Sequence, residues 1–473
     1  MKQAEVFEGF YSFLNTMLCK NHEIYIISHK TEFGHYDVEK IPLRKVAKEW
    51  LKENKIIKKN KFGIFEENIF FLSSKKEKIA KIENLNLDFF IDDLKAILVS
   101  IKNLKTKKIF FKGNSNSLSK KFKSFDSWNQ ILRYIQSEIK FLEIKQNVEK
   151  ITNDKIIKLY EIKKGINSKV FKVESKNKNY ALKIYPPLFA DGHNRLLSEI
   201  NALNILKNHD KTAKVLGYNK NNNIVVFDWI EGKSIKKINN HLLLHAVNFL
   251  SDLSKITRKN AISIENAKES CLKAEEIISQ IDVRLDLIKN TRNNEIKSFI
   301  KNIFLKVYMN SVKLIEKDWP FSSLNIVLDK EYQTISPSDF GFHNAILKNN
   351  NQICFIDFEY FGWDDPAKLI NDFIWHPGMK MNEKQKQFWV SKALLTFKLD
   401  EKLSSRVKSA WPLYGLRWVL IILKDTFRYD EILKTGEKIE IKKIDKLLQK
   451  QLIKSKNIIQ KIVKNNYACP YVR

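Results

Sequence analysis

Glycine and proline are scarce, 13 and 9 residues in a chain of 473. That excludes collagen-like, mucin-like and linker-dominated architectures and leaves regular secondary structure to predominate. The four cysteines, Cys19, Cys271, Cys354 and Cys469, lie far apart with no CxxC pair. Neither a disulfide framework nor a zinc knuckle is encoded, and a reducing cytoplasm is the expected compartment. Long apolar runs are also missing: the stretch Trp418 to Leu423 falls far below the roughly 18 residues a bilayer crossing requires, so no membrane span is expected. Residues 1–10 carry Glu5 and Glu8 and no cationic region followed by an apolar core, which argues against a secretory signal. Arginine is rare too, ten residues against 74 lysines. The net charge of +30 attracts polyanions in general. Specific readers of nucleic acid, however, favour arginine forks and a recognisable module, and lysines spread along the whole chain read as compositional bias, so no specific nucleic-acid partner is expected.

What is present is a foldable balance, 44% hydrophobic and 29% charged residues, over a length that predicts two or three compact units. Helix-like segments at 6–18, 43–54 and 75–84 alternate with apolar runs at 24–28, 69–72 and 88–91. Strands separated by helices of this length predict parallel pairing with helical crossovers, hence an α/β unit over residues 1–111. The polar, serine-rich run KGNSNSLSKKFKS and the helical periodicity after Asp126 predict a linker and connecting helix over 112–150. Residues 151–232 then read as a small sheet of β-branched and aromatic runs interrupted by one helix at 194–207. Residues 233–473 read as a helical lobe containing a hairpin-like patch (324–328 and 346–358).

The most informative string is ISPSDFGFHNAILKNNNQICFIDFEYFGWDDPAKLINDF, beginning at Ile335. Asp339 and Asn344 share a loop, and Asp357 follows an apolar strand that a turn at Lys348 to Asn351 folds back on the preceding one. Phosphoryl transfer needs a carboxylate to orient and deprotonate a hydroxyl, and an amide with a second carboxylate to hold Mg²⁺ on nucleotide phosphates; this spacing supplies all three. Upstream, ALKIY sets Lys183 in a β-branched strand, and Glu199 follows sixteen residues on in a helix. Such a lysine pairs with nucleotide phosphates and such a glutamate holds the lysine.

This pattern resembles the aminoglycoside phosphotransferase and choline kinase group of protein-kinase-like small-molecule kinases, from about Ile151 to the C-terminal helices. The resemblance implies an α+β bilobal fold, ATP and Mg²⁺ as cofactors, Asp339 as catalytic base, and Asn344 and Asp357 as metal ligands. Lys183 and Glu199 would serve the phosphates, Gly165 and Ser168 the phosphate-covering loop, and Asp228 to Gly232, with Ile230, the connector against adenine. Asp364, Asp365 and Pro366 through Asp372 would form the family's structural signature, with Asp365 and Asp372 capping and bracing. Glu359, Asp364 and Asp365 are further candidates for acceptor hydroxyls or a second metal. The chain departs from the family at Pro337 and Ser338, where His-Gly usually precedes the base, and at Gly341, Phe342 and His343, where His-Pro-Gly often precedes the asparagine. An altered acceptor pocket is the expected consequence, with His343 in a packing or loop-bonding role.

Residues 24–93 resemble part of the haloacid-dehalogenase-like (HAD-like) phosphatase superfamily, a partial Rossmann-like unit. Ser28 stands for its phosphate-binding hydroxyl, Lys75 or Lys78 for its lysine, and Asp92 and Asp93 for its acidic metal pair. The nucleophile motif DxD is absent: no aspartate precedes Ile24. Without that carboxylate no phospho-aspartyl intermediate forms, so no phosphatase turnover is expected; a truncated start or a degenerate scaffold would each account for the gap. The expected activity is a cytoplasmic, Mg²⁺-dependent kinase acting on a hydroxyl of a small molecule. A sugar or sugar derivative is favoured by the net charge, an envelope-polysaccharide pathway by the fusion, and an amino alcohol or aminoglycoside is also compatible. The rival readings are a catalytically silent kinase-like scaffold and phosphatase activity of the amino-terminal unit. Oligomeric state is not legible.

Overall fold

The computed structural model describes residues 4–34, 38–58, 63–113, 121–164, 168–188, 192–435 and 438–472. Two compact units divide between Gln146 and Asn147. The first contains α1 (Phe10–Cys19), β1 (Ile26–His29), α2 (Leu43–Glu53), β2 (Ile69–Leu72), α3 (Lys75–Asn84), β3 (Phe89–Asp92), α4 (Lys95–Ser100), β4 (Lys107–Phe111), β5 (Lys123–Phe125) and most of α5 (Trp128–Thr152). Strand β1 runs parallel to β2, and β3, β4 and β5 form a second parallel set in that order. Helix α2 crosses over from β1 to β2 and α4 from β3 to β4, as the alternating pattern predicts. Within the expected linker and connecting helix, 112–150, the helix is α5, and the linker part is corrected at 123–125: β5 pairs with β4, and Ile131 and Ile135 of α5 are buried with Phe13, Met17, Ile109 and Phe111 in the first unit's core. A three-residue strand is too short to show a period of two, which is why composition alone reads it as linker.

The second unit opens with an antiparallel sheet of β6 (Ile156–Lys164), β7 (Lys169–Ser175), β8 (Asn179–Ile184), β9 (Val215–Asn219) and β10 (Ile224–Asp228), in the order β6-β7-β8-β10-β9. Helix α6 (Arg195–Ile205) packs there through Leu196, Ile200 and Leu203. Its first turn is closed by Asn194, whose side chain accepts from Leu197 N at 3.1 Å, a cap worth about 1 kcal/mol.

Beyond the sheet come β11 (Gly232–Ser234), α7 (Asn240–Ser254), α8 (Ala274–Ile288), α9 (Asn294–Phe299) leading through a π turn into α10 (Leu305–Asp318), β12 (Thr334–Ser336), β13 (Ala345–Lys348), β14 (Ile353–Phe355) and β15 (Gly362–Asp364). The chain ends in α11 (Pro366–Trp375), α12 (Glu383–Thr396), α13 (Leu403–Ile422), α14 (Asp425–Thr435) and α15 (Lys438–Lys464). β13 and β14 form the expected hairpin, closed where Lys348 N donates to Gln352 O at 2.8 Å. β11 pairs with β13 at Gly232, where a Cβ would stand 2.4 Å from Leu347 O, so only glycine allows this approach. The other half of the expected hairpin patch, 324–328, is no strand; Leu328 N donates to Leu272 O at 2.7 Å and Leu324 O accepts from Glu275 N at 3.1 Å, and two isolated bonds do not make a ladder. Phe249, Phe355, Phe340, Phe373 and Trp389 touch ring to ring in series through the lobe's core, and Phe340 of this series belongs to the loop between β12 and β13. No helix among the described residues is long and apolar enough to cross a membrane.

Candidate active site

Lys183 sits in the middle of β8, opposite Val170 of β7 and Val225 of β10, and its side chain is buried. Its Nζ lies 2.6 Å from Glu199 Oε2 on α6, 2.6 Å from Asp357 Oδ1 just after β14, and 3.1 Å from Glu359 Oε2. Glu199 is fixed on both oxygens: Tyr185 Oη donates to Oε2 at 2.5 Å, and Phe358 N donates to Oε1 at 3.2 Å. Burial alone would push the lysine's pKa down. Glu199, Asp357 and Glu359 reverse that and hold it well above its ordinary value, so Lys183 is a permanent cation.

Asp339 lies in the loop between β12 and β13, and its side chain is 37% exposed. Asn344 donates through Nδ2 to both the carbonyl and Oδ2 of Asp339, each at 3.0 Å. Both partners are acceptors, so the amide nitrogen faces Asp339 and the Asn344 carbonyl oxygen is the end left for a cation. Ile356 N donates to Asn344 O at 2.9 Å, which brings the backbone beside Asp357 next to Asn344. An amide oxygen and a partly exposed carboxylate are hard donors that fit Mg²⁺. On the other oxygen of Asp339, His343 Nε2 approaches Oδ1 to 3.0 Å and His376 Nε2 to 3.6 Å. Desolvation pushes the Asp339 pKa up, but the His343 hydrogen bond and the electrostatic attraction of the nearby His343 and His376 imidazoles outweigh it and hold the carboxyl well below the ordinary range. It is ionised at any pH at which a kinase works.

The remaining predicted residues are placed as follows. Ser168 directs its hydroxyl to Glu359 Oε2 at 2.7 Å. Gly165 lies outside the described residues. Asp228 pairs with Lys178 at 2.8 Å, and Ile230 is half-buried. Asp365 caps α11 by accepting from Ala367 N at 2.8 Å and is gripped by Arg406 at 2.9 Å. Asp372 binds Arg417 at 2.9 Å, Lys368 at 3.0 Å and Trp418 Nε1 at 2.8 Å. Asp364 accepts from Cys271 N and from its own neighbour Asp365 N, each at 2.9 Å. Asp365 and Asp372 thus brace α11 against α13, while Asp364 ties the start of α11 to Cys271. Glu359, besides facing Lys183, lies 3.5 Å from Arg195.

His376, Arg195 and Tyr185 are absent from the sequence reading. Tyr185 carried a signal, two residues past Lys183 and so on the same face of the strand. His376 carried none, because its role comes from α11 bringing the residue just past its C-terminus against the loop of Asp339.

A small antiparallel sheet bearing a glutamate-anchored lysine, set against a helical lobe whose loop presents Asp339 and Asn344, is the protein-kinase-like architecture used for phosphorylating small molecules. Residues 158–376 match the phosphotransferase enzyme family, and with that match this unit is an ATP-dependent small-molecule kinase whose cofactors are ATP and Mg²⁺. No curated protein matches the chain. Among solved structures it is similar to the choline kinase of Streptococcus pneumoniae, at 16% identity and TM-score 0.41 over 65% of this chain and 98% of that one. It is similar to a Plasmodium vivax ethanolamine kinase at 17% identity and TM-score 0.41, over 62% and 81%. It is also similar to a spectinomycin phosphotransferase in complex with ADP and spectinomycin, at 11% identity and TM-score 0.45, over 66% and 98%.

Proposed function

We propose that Asp339 is the base that accepts the proton of a small-molecule hydroxyl as the γ-phosphoryl group of ATP moves to it. In this reading Lys183, steadied by Glu199, receives the α- and β-phosphates, and Asn344 and Asp357 hold Mg²⁺. Bound there, the ion supplies neutralising charge to the phosphate oxygens. The chain's own contribution is positioning and fixed charge, the terms that dominate phosphoryl transfer. One observation carries the reading: Lys183 reaches both Glu199 and Asp357 at 2.6 Å, so side chains far apart in sequence meet at one ammonium.

The acceptor is placed among amino alcohols, aminoglycosides and sugars; the sugar preference rests on net charge and has no side chain of the site behind it. Incubation with labelled ATP, Mg²⁺ and a panel of such hydroxyl compounds, read by mass spectrometry, tests this. The expected result is one phosphorylated product that disappears in Asp339→Asn and Asp357→Asn. Transfer unaffected by both substitutions refutes the assignment.

For the amino-terminal unit the proposal is a HAD-like scaffold without turnover. Supporting it, Asp92 is engaged by Lys78 Nζ at 2.6 Å and by Leu94 N at 2.8 Å, and the buried lysine is neutralised by that pair. Phosphate release from an aryl phosphate by the full chain, lost on Asp92→Asn, would refute it.

A further inference from the structure

The catalytic loop lacks the family's usual residues on both sides of Asp339, yet its carboxylate is held on both oxygens. Asn344 fixes Oδ2. Oδ1 is held by a pair of stacked imidazoles, His343 and His376, with ring centroids 3.7 Å apart and planes 11° apart. A carboxylate only accepts, so the His343 Nε2 that faces Oδ1 at 3.0 Å carries the hydrogen.

The His376 ring is fixed at every edge. Gly378 N donates to His376 Nδ1 at 3.0 Å, which makes Nδ1 the acceptor and puts the neutral ring's proton on Nε2. That Nε2–H points toward Asp339 Oδ1 from 3.6 Å, beyond hydrogen-bond length, with the positive end of its dipole toward the anion. The ring also meets Trp418 in a T-shaped contact, with centroids 4.7 Å apart and planes at 86°. Trp418 is itself tied through Nε1 to buried Asp372. Backbone, stack and tryptophan together leave the imidazole one orientation.

We infer that His376 is a positioning residue for phosphoryl transfer: stacked on His343, it keeps the His343 Nε2–H on Oδ1 of Asp339 and so presents the other carboxylate oxygen to the acceptor hydroxyl in a single direction. This rests on Asp339 being the base. His343 stands on a short 3-10 turn (Phe342–Asn344) with a part-exposed ring, and without the stack that ring is free to swing away from Oδ1. A displacement of about 1 Å in such a group costs about 100-fold in rate.

The test compares His376→Ala, which deletes the stack, with His376→Phe, which keeps a flat ring against His343. ADP release from Mg·ATP is measured, with water standing in for the acceptor, beside Asp339→Asn. His376→Ala is expected to lose about 10- to 100-fold in kcat with KM for ATP unchanged, and His376→Phe to restore most of it. An unchanged kcat in His376→Ala, or His376→Phe as slow as His376→Ala, overturns the positioning role while Asp339→Asn still reports on the base. Full ADP release in Asp339→Asn refutes the base itself. An arm that does not depend on the variants folding is ¹⁵N NMR of the unsubstituted protein: Nε2–H tautomers on both rings are expected, and an Nδ1–H tautomer on either refutes the inference.

Discussion

Replacing Lys183 with methionine keeps the stem's volume and removes one charge from a crowded place. The carboxylates of Glu199, Asp357 and Glu359 offer oxygens all within 4.8 Å of one another, and the Lys183 ammonium touches all three. Breaking a buried pair by deleting one partner costs about 3–5 kcal/mol. Repulsion between carboxylates about 4 Å apart is of the same order, about 4 kcal/mol per pair, at the effective dielectric of protein sites. The expected loss in the second unit's unfolding midpoint is therefore on the order of 10 °C near neutral pH. In the variant at least one carboxylate takes up a proton, so its folded pKa rises above the unfolded value. Stability from such a group is full below the unfolded pKa and lost as pH rises through the folded one, so the deficit should shrink at about pH 5 and widen at about pH 8. Mg²⁺ without nucleotide should also restore more stability to Lys183→Met than to the parent, since it replaces the missing charge. Calorimetry across pH, with and without Mg²⁺, measures both effects. A variant that unfolds with the parent at every pH, or ignores Mg²⁺, refutes the claim that this lysine balances the three carboxylates.

Asp339→Asn should lower acceptor phosphorylation by about 10²- to 10⁴-fold with the fold retained, because its amide oxygen still accepts from one of the two donors, His343 or Asn344; product formation at the parent's rate refutes the base assignment. The His376 pKa is pushed down to about 4 by burial and by the neighbouring His343, which disfavours a second positive charge. A depressed folded pKa means its contribution is present above about 6.5 and lost as pH falls through the folded value, so acid titration should destabilise the parent by roughly 3 kcal/mol more than His376→Phe; equal acid sensitivity rejects a neutral buried imidazole. Arg406→Leu strands Asp365 and Asp400, which the parent binds at 2.9 and 2.7 Å, and should cost about 3–5 kcal/mol in urea unfolding; a loss below about 1 kcal/mol would mean the pair is solvated.

The sequence disclosed those parts of the molecule that depend on local pattern. Helices α2, α3 and α6 declare themselves by apolar spacing and by Ser74 and Asn194 at their starts, both of which accept from the first turn. Lys183 was visible because a lone charge within β-branched residues has to face somewhere, and the Asp339, Asn344 and Asp357 spacing because a loop and a hairpin set it. What escaped depends on distant chain segments meeting. β5 has three residues and exists because β4 offers it an edge. The apolar run at 324–328 looks like a strand but finds no ladder. His376 is one of nine histidines, marked only by where α11 ends.

The placement of arginine explains how that helix end becomes a fixed point. Lysine carries nearly every positive charge of this chain, but at the joints between α11 and α13 a single side chain must hold two carboxylates. The guanidinium fork does so with separate, directed N–H donors for each carboxylate. Arg406 spans Asp365 and Asp400, and Arg417 spans Asp372 and Glu269 at 2.9 and 3.0 Å. Both arginines are buried on α13. The loops they support are strained: Ser338, next to Asp339, has φ 64°, and Asp357 has φ 72°, conformations that cost about 1–3 kcal/mol each in residues with a side chain. A strained loop cannot hold a base by its own preferences. The rigidity has to come from elsewhere, and the connected route in the structure runs from the arginines of α13 through Asp365 and Asp372 into α11, out at His376, and across the imidazole stack to Asp339.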